Sequence, residues 1–505
     1  MTATATAPAG SSERWSPRLW GTLVVLCAAL FLDALDVSMV GVALPSIRTD
    51  LHLSTNALQW VVSGYVLGYG GLLLLGGRAA DLLGRRRVFL IALAVFAVAS
   101  LLGGLVTSGG LLIASRFVKG AAAAFTAPAG LSIITTTFAE GPARNRALSI
   151  YTTCGASGFS LGLVLSGLLT EVGWRWTFLL PFPLALLALV AGLKLIPRQA
   201  APARQGRGGY DLAGAVTATA ALLLLVFTVT EAQSAGWASA RTVLSLLAVL
   251  ALGAAFVAVE LRSAHPLVRL GILRSGSLTR ANLSGLSMFG AYVGFQFIAT
   301  LYLQALLGWS ALQMALAFLP AGALVALSAT RIGRLVDRFG TTRLLLVGFP
   351  AAVLAYANFL RIGPHSDFPT VILPTMLLLG LHFALTFPAL NIQATAGVAD
   401  EEQGLASGLV NTAFQIGGAV VLAVTTAVVT AGGAGGAGSI QAQLDGYRHG
   451  VLVVLGVSAA GLVTTLFALR RPKRRTNWGV PDYRSAEAPQ REETATSDAV
   501  SRLHG

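Results

Sequence analysis

Two carboxylates, Asp33 and Asp36, lie inside the first long apolar run of the sequence, residues 19–44. Such a run can cross a bilayer as a helix, because about 20 residues span the hydrocarbon core. An unpaired carboxylate in hydrocarbon is costly, so each acid must face water, a partner or its own proton. A spacing of three residues puts both on one helix face. The pair predicts a proton or cation site inside a bundle; two structural acids that hydrogen-bond neighbouring helices are the alternative.

Arg116 lies inside another apolar run and cannot lose its proton. It needs an acceptor or a watery cavity, and we expect it to contact Asp36 directly or through water. A nearby cation favours the ionised carboxylate, whereas desolvation favours the protonated one. Asp36 can therefore load a proton on one side of the membrane and release it on the other. A permanent buried ion pair that only joins two helices is the alternative.

Asp33 lies one helical turn from Asp36, and two close carboxylates resist simultaneous ionisation. We assign Asp33 to the substrate or to a second proton, because carboxylates in an apolar cavity suit a lipophilic cation. A solvated acid at the outer mouth of the bundle is the alternative. Other polar and aromatic residues within apolar runs can line the same cavity, although helix–helix hydrogen bonding is their commoner role. The candidates for the cavity wall are Tyr65, Tyr292, Gln296, Gln304, Asn411 and Gln415.

The composition indicates an α-helical membrane protein with many spans. Of 505 residues, 55% are hydrophobic and 11% are charged, and the mean hydropathy is +0.74. Soluble domains carry about 25% charged residues. The net charge of +14 does not indicate nucleic acid, because the basic residues lie in loops between spans. No nucleotide-binding loop, metal-ligand cluster or nucleophile motif is present, so we expect no enzyme activity, no cofactor and no metal.

Fourteen apolar runs predict fourteen transmembrane helices and hence an all-α membrane protein. Alternate loops hold the arginines, for example Arg85 to Arg87, whereas the opposite loops hold only Arg48, Arg175, Arg241, Arg361 and Arg448. The positive-inside rule then places both termini in the cytoplasm. The Ala-, Gly- and Arg-rich, Lys-poor composition suggests a bacterium, so we expect the bacterial plasma membrane. The predicted spans are residues 19–44, 57–76, 88–106, 111–138, 147–170, 177–196, 212–231, 242–261, 280–306, 311–332, 344–361, 369–393, 405–431 and 448–469.

The chain contains an internal repeat. Gly77-Arg78-x-x-Asp81-x-x-Gly84-x-x-Arg87 recurs as Gly333-Arg334-x-x-Asp337-x-x-Gly340-x-x-Arg343, and each copy lies in a loop between two spans. Convergent basic turns are the alternative to a true repeat. The offset exceeds that of six spans by about two spans, and parallel repeats are a known transporter plan. The predicted parts are an N-terminal tail (1–18), a six-helix bundle (19–196), a linker (197–211), two inserted helices (212–262), a loop (263–279), a second six-helix bundle (280–469) and a disordered tail (470–505).

With these features the sequence resembles the major facilitator superfamily, and in particular its fourteen-span drug/proton antiporter branch, over residues 19–469. The segment GGRAADLLGRRRVFL, residues 76–90, is similar to the family's loop motif between the second and third helices. LDVSMVGVALP, residues 35–45, resembles the first-helix motif, with Asp36 at its acidic position. LIASRFVKGAAAA, residues 112–124, resembles the fourth-helix motif, with Arg116 at its arginine and Lys119 where glutamine is common.

The fifth-helix motif of the family, which is associated with antiport, is altered in this chain. The corresponding stretch is GASGFSLGLVLSG, residues 155–167. Leu163 stands at the position of a proline and Ser166 at that of a glycine, so a kink is lost. The remaining glycines still permit close helix packing.

The resemblance implies a transporter that works by alternating access. The loop motif would latch the two halves in one state, or serve only as a topological anchor; its residues here are Gly77, Asp81, Gly84, Arg85, Asp337 and Arg343. We expect proton-driven multidrug efflux of lipophilic small molecules, cations among them, with antibiotic resistance as a consequence. A narrow exporter of one endogenous metabolite and a sensor without flux are the alternatives. The expected partners are the substrate, protons and the bilayer, without nucleic acid, and we expect a monomer.

Overall fold

The computed structural model describes residues 15–139, 142–198, 211–263, 266, 268, 270–328, 331–396, 398, 403–434 and 439–469. Within these residues all regular structure is helical. Fourteen helices are long and apolar enough to cross a membrane, which confirms the predicted number and the all-α fold class. The predicted tail 470–505 and most of the linker 197–211 lie outside the described residues.

The first eight spans are built from nine helices. The sixth span is divided by a break at Leu180, which precedes Pro181. The helices are α1 (Pro17–Asp50), α2 (Thr55–Leu83), α3 (Arg85–Leu105), α4 (Gly109–Thr137), α5 (Pro142–Val172), α6 (Trp176–Leu179), α7 (Pro181–Leu195), α8 (Leu212–Ala235) and α9 (Ala240–Arg262).

The last six spans follow a short 3₁₀ turn, Leu270–Arg274, and include one additional helix in a loop, α12. Three spans carry a stretch of π-helix at one end: Leu301–Leu306 follows α10, Phe368–Ile372 precedes α14 and Thr430–Ala434 follows α15. The helices are α10 (Gly276–Thr300), α11 (Ala311–Ser328), α12 (Ile332–Phe339), α13 (Thr341–Phe359), α14 (Leu373–Thr395), α15 (Gln403–Val429) and α16 (Ile440–Leu469).

Several helices extend beyond the predicted apolar runs because polar caps set their ends. Ser16 accepts a hydrogen bond from Leu19 N, so α1 begins at Pro17 rather than residue 19. Ser439 accepts from Ala442 N, so α16 begins at Ile440, eight residues before the predicted start at 448. A side chain that bonds an N-terminal amide stabilises the first turn of a helix outside the apolar core.

Helix contacts divide the spans into two groups joined by two seams. In the first group α1 packs on α5 and α7, α2 on α4, and α3 on α4 and α7. In the second α10 packs on α15, and α14 on α11 and α13. The two groups meet where α5 packs on α11 and where α2 packs on α15. The inserted helix α8 contacts α2, α9 and α15 and covers the α2–α15 seam from outside.

The two ends of the bundle differ in how the halves pack. We call the end with the α2–α3 and α12–α13 turns the loop end and the opposite one the far end. At the far end a single apolar cluster joins residues of both halves, from Val40 of α1 to Val454 of α16. At the loop end each half has its own cluster, one around Phe89 and the other around Phe349. The halves are therefore closed together at the far end and packed separately at the loop end.

Hydrogen bonds also cross between the halves at the far end. Thr300 Oγ1 donates to the backbone oxygen of Gly41 over 3.2 Å, and Gln304 Nε2 donates to Val42 O over 2.9 Å. Both acceptors lie on α1 and both donors lie on the second half. Small residues permit this contact, since a Cβ on Gly41 would lie 2.5 Å from Gln296 Nε2.

The repeated loop motif has the same backbone geometry in both halves. Gly84 joins α2 to α3 with φ +93°, and Gly340 joins α12 to α13 with φ +77°. Side chains strain the backbone at such angles, so glycine is required at both turns. The copies differ in their helices: the first completes the long helix α2, whereas the second forms the separate short helix α12. The predicted span 311–332 accordingly ends at Ser328.

Candidate functional site

Close packing of α2 on α4 brings the buried charges of the first half together. A Cβ on Gly120 of α4 would lie 2.0 Å from the backbone oxygen of Tyr65 on α2. A Cβ on Gly68 would lie 2.3 Å from Phe117 O, so both glycines are needed at this crossing. Small residues let helix backbones approach closely in membranes. The contact places Arg116 of α4 against α2 and beside α1.

Asp36 forms ion pairs with two cations of α4. Its Oδ2 accepts from Arg116 Nη1, and its Oδ1 accepts from Lys119 Nζ. Asp36 and Lys119 are fully buried and Arg116 is 2% exposed. Each carboxylate oxygen thus has its own cationic donor, and one negative charge faces two positive charges without contact with solvent.

Additional contacts hold each cation of this cluster in place. Arg116 Nε donates to Val61 O over 3.0 Å, and its guanidinium lies 4.6 Å from the ring centroid of Tyr65. Lys119 Nζ lies 4.8 Å from the ring centroid of Phe96 and 5.4 Å from that of Phe178. Aromatic faces attract cations, and the attraction is stronger where water is excluded. The cluster is therefore fastened to α2, α3 and α6 as well as to α1.

Asp33 occupies a different environment, one turn before Asp36 on α1. It is 6% exposed, and Thr126 Oγ1 of α4 lies 3.2 Å from its Oδ2. The same hydroxyl lies 3.1 Å from Ala123 O, so its single proton can be donated either to Asp33 Oδ2 or to Ala123 O. Among the described residues no lysine or arginine nitrogen lies within 4.0 Å of the Asp33 carboxylate. Asp33 is thus a buried acid held by a hydroxyl rather than by a cation.

The residues predicted to line a cavity fall into separate places. Tyr65 packs beneath Arg116 and belongs to the charged cluster. Tyr292 lies between the halves, with its ring 5.7 Å from Phe159 and 4.7 Å from Phe383. Gln304 bonds Val42 O at the far end, as described above.

The remaining amides come from α10 and α15, and two of them contact the first half. Gln296 is buried against Gly41, and its Nε2 atom has no hydrogen-bond partner among the described residues. Gln415 of α15 packs against Gly70 of α2, where a Cβ on the glycine would lie 2.8 Å from the Gln415 Cβ. Asn411 donates to Ser407 O within its own helix. All three amides therefore belong to the second half, and Gln296 and Gln415 contact α1 and α2 of the first half across the junction.

The structure describes only some of the side chains of the repeated loop motif. The side chains of Asp81 and Asp337 lie outside the described part of the structure. Gly77 and Arg85 lie at either side of the Gly84 turn, and Arg343 is exposed on the first turn of α13. Arg86, which the sequence did not single out, donates to Leu193 O over 2.7 Å and to Ile196 O over 3.0 Å. These bonds satisfy carbonyls at the C-terminal end of α7, which lack partners within the helix.

Lys119 and Thr126 are the site residues that sequence reasoning did not assign. Lys119 was noted only as a departure from a motif. A signal was present, because Arg116 and Lys119 are spaced by three residues, as Asp33 and Asp36 are. Each helix therefore presents two like charges on one face. The described residues contain no group of three or more His, Cys, Asp or Glu side chains arranged for a metal ion.

Comparisons with known proteins agree with this architecture. The family model of the Major Facilitator Superfamily matches residues 26–422. The puromycin resistance protein pur8 of Streptomyces alboniger is 37% identical, covering 89% of this chain and 90% of its own. The cephamycin export protein CmcT of Amycolatopsis lactamdurans is also 37% identical, covering 89% of this chain and 93% of its own.

A solved structure shares the fold. It is a bacterial homologue of the human lysosomal transporter Spinster in an inward-facing and occupied conformation, with a TM-score of 0.63 and 16% sequence identity. The match covers 90% of this chain and 98% of that one. The family model, the two relatives and the fourteen helices lead to one conclusion: the chain belongs to the major facilitator superfamily.

Proposed function

We propose that this protein exports lipophilic small molecules, drugs among them, in exchange for protons by alternating access. The observation that carries the proposal is the buried pair of acids, Asp33 and Asp36, beside Arg116 within the first half of the bundle. Ionisable groups within membrane helices are costly, and they commonly serve ion or substrate pathways. We assign proton coupling to these three residues.

The packing of the two halves supports alternating access. The halves share one apolar cluster at the far end and have separate clusters at the loop end. This asymmetry is expected of one of two states that a rocking carrier would adopt. In the other state the far-end cluster would separate and the loop ends would approach. The repeated turns at Gly84 and Gly340 are the positions where a latch would act, together with Gly77, Asp81, Arg85, Asp337 and Arg343.

The seam between the halves offers surfaces for a lipophilic substrate. Tyr292 is surrounded by aromatic rings from both halves, and Gln296 has an amide nitrogen without a described partner. Ligand sites of this kind combine apolar walls with a few polar groups that orient the molecule. We assign Tyr292, Gln296, Gln415 and Asn411 to the cavity wall, with Tyr65 and Gln304 at its two ends.

The names of the relatives favour antibiotics as substrates. One of the two relatives described above is named for resistance to puromycin and the other for the export of cephamycin. These names also leave room for the narrower function, since each refers to a single antibiotic. Multidrug export predicts that several unrelated molecules compete for transport, whereas a dedicated exporter would move one.

The proposed orientation places the loop end and both termini in the cytoplasm of a bacterial plasma membrane. It follows from the arginines, which are concentrated in the loops at that end. The proposed parts are the two six-helix bundles, 19–196 and 280–469, with α8 and α9 inserted between them. Fluorescent-protein and alkaline-phosphatase fusions after residue 469 test the orientation. Cytoplasmic fluorescence without phosphatase activity is expected, and the reverse pattern would contradict it.

Transport is tested with purified protein in liposomes under an imposed pH gradient, using puromycin, lincomycin and ethidium as probes. Substrate-dependent proton flux is expected from the wild type and not from Asp36→Asn. A matched control is Asp50→Asn, the same change at the exposed end of α1, which should keep transport. Asp50 accepts bonds from Trp174 and Arg175 there, far from the buried cluster. Binding of probes without any proton flux would favour the sensor.

A further inference from the structure

The charged cluster contains one more cation than the coupling scheme above uses. Lys119 pairs with Oδ1 of Asp36 and Arg116 pairs with Oδ2, so each oxygen of this carboxylate already has a cationic donor. We propose that Lys119 locks Asp36 in its ionised form and that Asp33 is the acid that binds the transported proton. This proposal rests on the proposed proton-coupled export and changes the roles of the two acids within it.

Charge balance argues against a proton on Asp36. Protonation of Asp36 would leave Arg116 and Lys119 buried without a counter-charge in contact. Removing one partner of a buried ion pair is strongly unfavourable, because the remaining charge keeps its desolvation cost. Arg116 cannot release a proton to compensate. Asp36 therefore stays ionised as long as Lys119 remains charged beside it.

The hydrogen bond of Asp33 suits both of its protonation states. When Asp33 is ionised, the Thr126 hydroxyl donates to Oδ2 across 3.2 Å. When Asp33 is protonated, it can donate to Thr126 Oγ1 while that hydroxyl turns to Ala123 O, 3.1 Å away. A hydroxyl both donates and accepts, so the exchange needs only a rotation of the Thr126 proton. No helix has to move for Asp33 to take up or release a proton.

The other polar groups near Asp33 come from three neighbouring helices. Tyr65 and Tyr69 of α2 and Tyr151 of α5 lie near enough to interact with it electrostatically. Lys119 of α4 and Asp36 of α1 are its charged neighbours. With Asp33 ionised, the two acids balance the two cations of α4. With Asp33 protonated, the cluster carries one net positive charge, so each proton cycle changes the charge buried between α1 and α4.

Infrared difference spectroscopy of the purified full-length protein tests the proposal without a substrate. The measured signal is the C=O band of a protonated carboxyl group, followed through a pH titration. The wild type should give one such band from a buried acid, and this band should be absent in Asp33→Asn. Lys119→Gln should add a second titrating acid, Asp36, because one of its two cations is gone. Lys119→Arg keeps the charge and should leave a single titrating acid.

Either of two results overturns the proposal: the wild-type band persists in Asp33→Asn, or Lys119→Gln adds no second titration. If Asp33→Asn does not fold, Asp33→Glu replaces it and should shift the frequency of the same band. A band that keeps its frequency in Asp33→Glu also overturns the proposal. Lys119 is a positioning residue in this scheme, and a purely structural lysine would not change which acid titrates.

A transport experiment with puromycin and ethidium separates this proposal from the proposed function. Asp33→Asn should lose proton-coupled uptake into liposomes, and the double variant Asp33→Asn/Lys119→Gln should regain part of it through Asp36. Failure of the double variant to recover, while wild-type transport is normal, contradicts the role of Lys119. If the wild type moves neither probe but the infrared results hold, only the proposed export of these probes fails.

Discussion

At the scale of single residues, Arg116 shows why a guanidinium is needed within α4. It pairs with Asp36 on α1, donates through Nε to Val61 O on α2 and stacks over the ring of Tyr65. A planar group with several fixed donors can make these contacts at once, whereas an ammonium is a single point of charge. Lys119, which is such an ammonium, bonds only the Asp36 carboxylate among the described residues and lies beside the rings of Phe96 and Phe178.

Arg116→Lys should therefore destabilise the protein even though the charge is kept. Loss of the Val61 hydrogen bond and of the stacking on Tyr65 should lower the free energy of unfolding by about 2 kcal/mol. Thermal unfolding in detergent measures the change. Arg361→Lys is the control, because Arg361 is exposed and contacts only Asn358 among the described residues. Equal melting temperatures of the wild type and Arg116→Lys would contradict this account.

At the scale of helices and turns, two glycines of the repeated motif permit the tight turns between helices. Gly84 is the single residue between α2 and α3, and Gly340 is the single residue between α12 and α13. Both adopt positive φ. The sequence placed both copies of the motif in loops between spans, and the backbone agrees. The sequence did not indicate that the second copy would stand on its own short helix, α12. That difference depends on how α11 ends, which spacing within the motif does not specify.

Gly84→Ala and Gly340→Ala should each cost about 1–3 kcal/mol of stability, because an alanine is strained at these angles. Gly253→Ala is the matched control. Gly253 lies within α9, where a Cβ would meet nothing within 4 Å. The control should keep or raise the melting temperature, since alanine favours helices by about 1 kcal/mol over glycine. A loss of stability in Gly253→Ala equal to that in Gly84→Ala would contradict the turn argument.

The α2–α15 seam contains a buried polar group without a described partner. Gln59 is fully buried, and neither atom of its amide has a hydrogen bond among the described residues. It lies about three helical turns from Gly70, on the face of α2 that contacts Gln415 of α15. An unpaired amide destabilises the packed seam, and it would gain hydrogen bonds to water if the far end opened.

Gln59→Leu should therefore favour the state that is closed at the far end and slow transport. Distances between spin labels at residues 52 and 365, both exposed at the far end, report the populations of the two states. The short-distance population should increase in Gln59→Leu. Gln441→Leu changes an exposed glutamine at the start of α16 and serves as the control. An increase of the long-distance population in Gln59→Leu would show that the amide does not destabilise the closed seam.

At the scale of the whole molecule, the far-end closure is the structural basis of the proposed transport cycle. Gly167 of α5 is in tight contact with α11, where a Cβ would lie 2.7 Å from the Ala315 Cβ. Gly167 belongs to the first half and Ala315 to the second, so this contact must break whenever the far end opens. Carriers that rock between two states cannot complete a cycle if one contact between the halves becomes permanent.

A shift of about 1 Å between α5 and α11 would bring the two Cβ atoms to the roughly 3.8 Å separation of a disulfide. Gly167→Cys/Ala315→Cys should then form a disulfide that stops transport under oxidising conditions. The background should lack the two native cysteines, Cys27 and Cys154. Puromycin uptake into liposomes should fall to the level of protein-free vesicles after oxidation and return with reductant. Each single cysteine variant is the control and should respond to neither treatment. Full transport by the cross-linked protein would rule out opening at this contact.

The sequence by itself determined the membrane class, the number of spans, the repeated loop motif and the position of Asp33, Asp36 and Arg116 within apolar spans. These follow from length and polarity along the chain, because hydrocarbon excludes charges whichever neighbours they find. Only the tertiary structure decided that Lys119 shares Asp36, that Thr126 holds Asp33 and that the halves close at the far end. Such contacts join residues about 80 to 260 positions apart, and they depend on how each helix is rotated and how closely it crosses its neighbours.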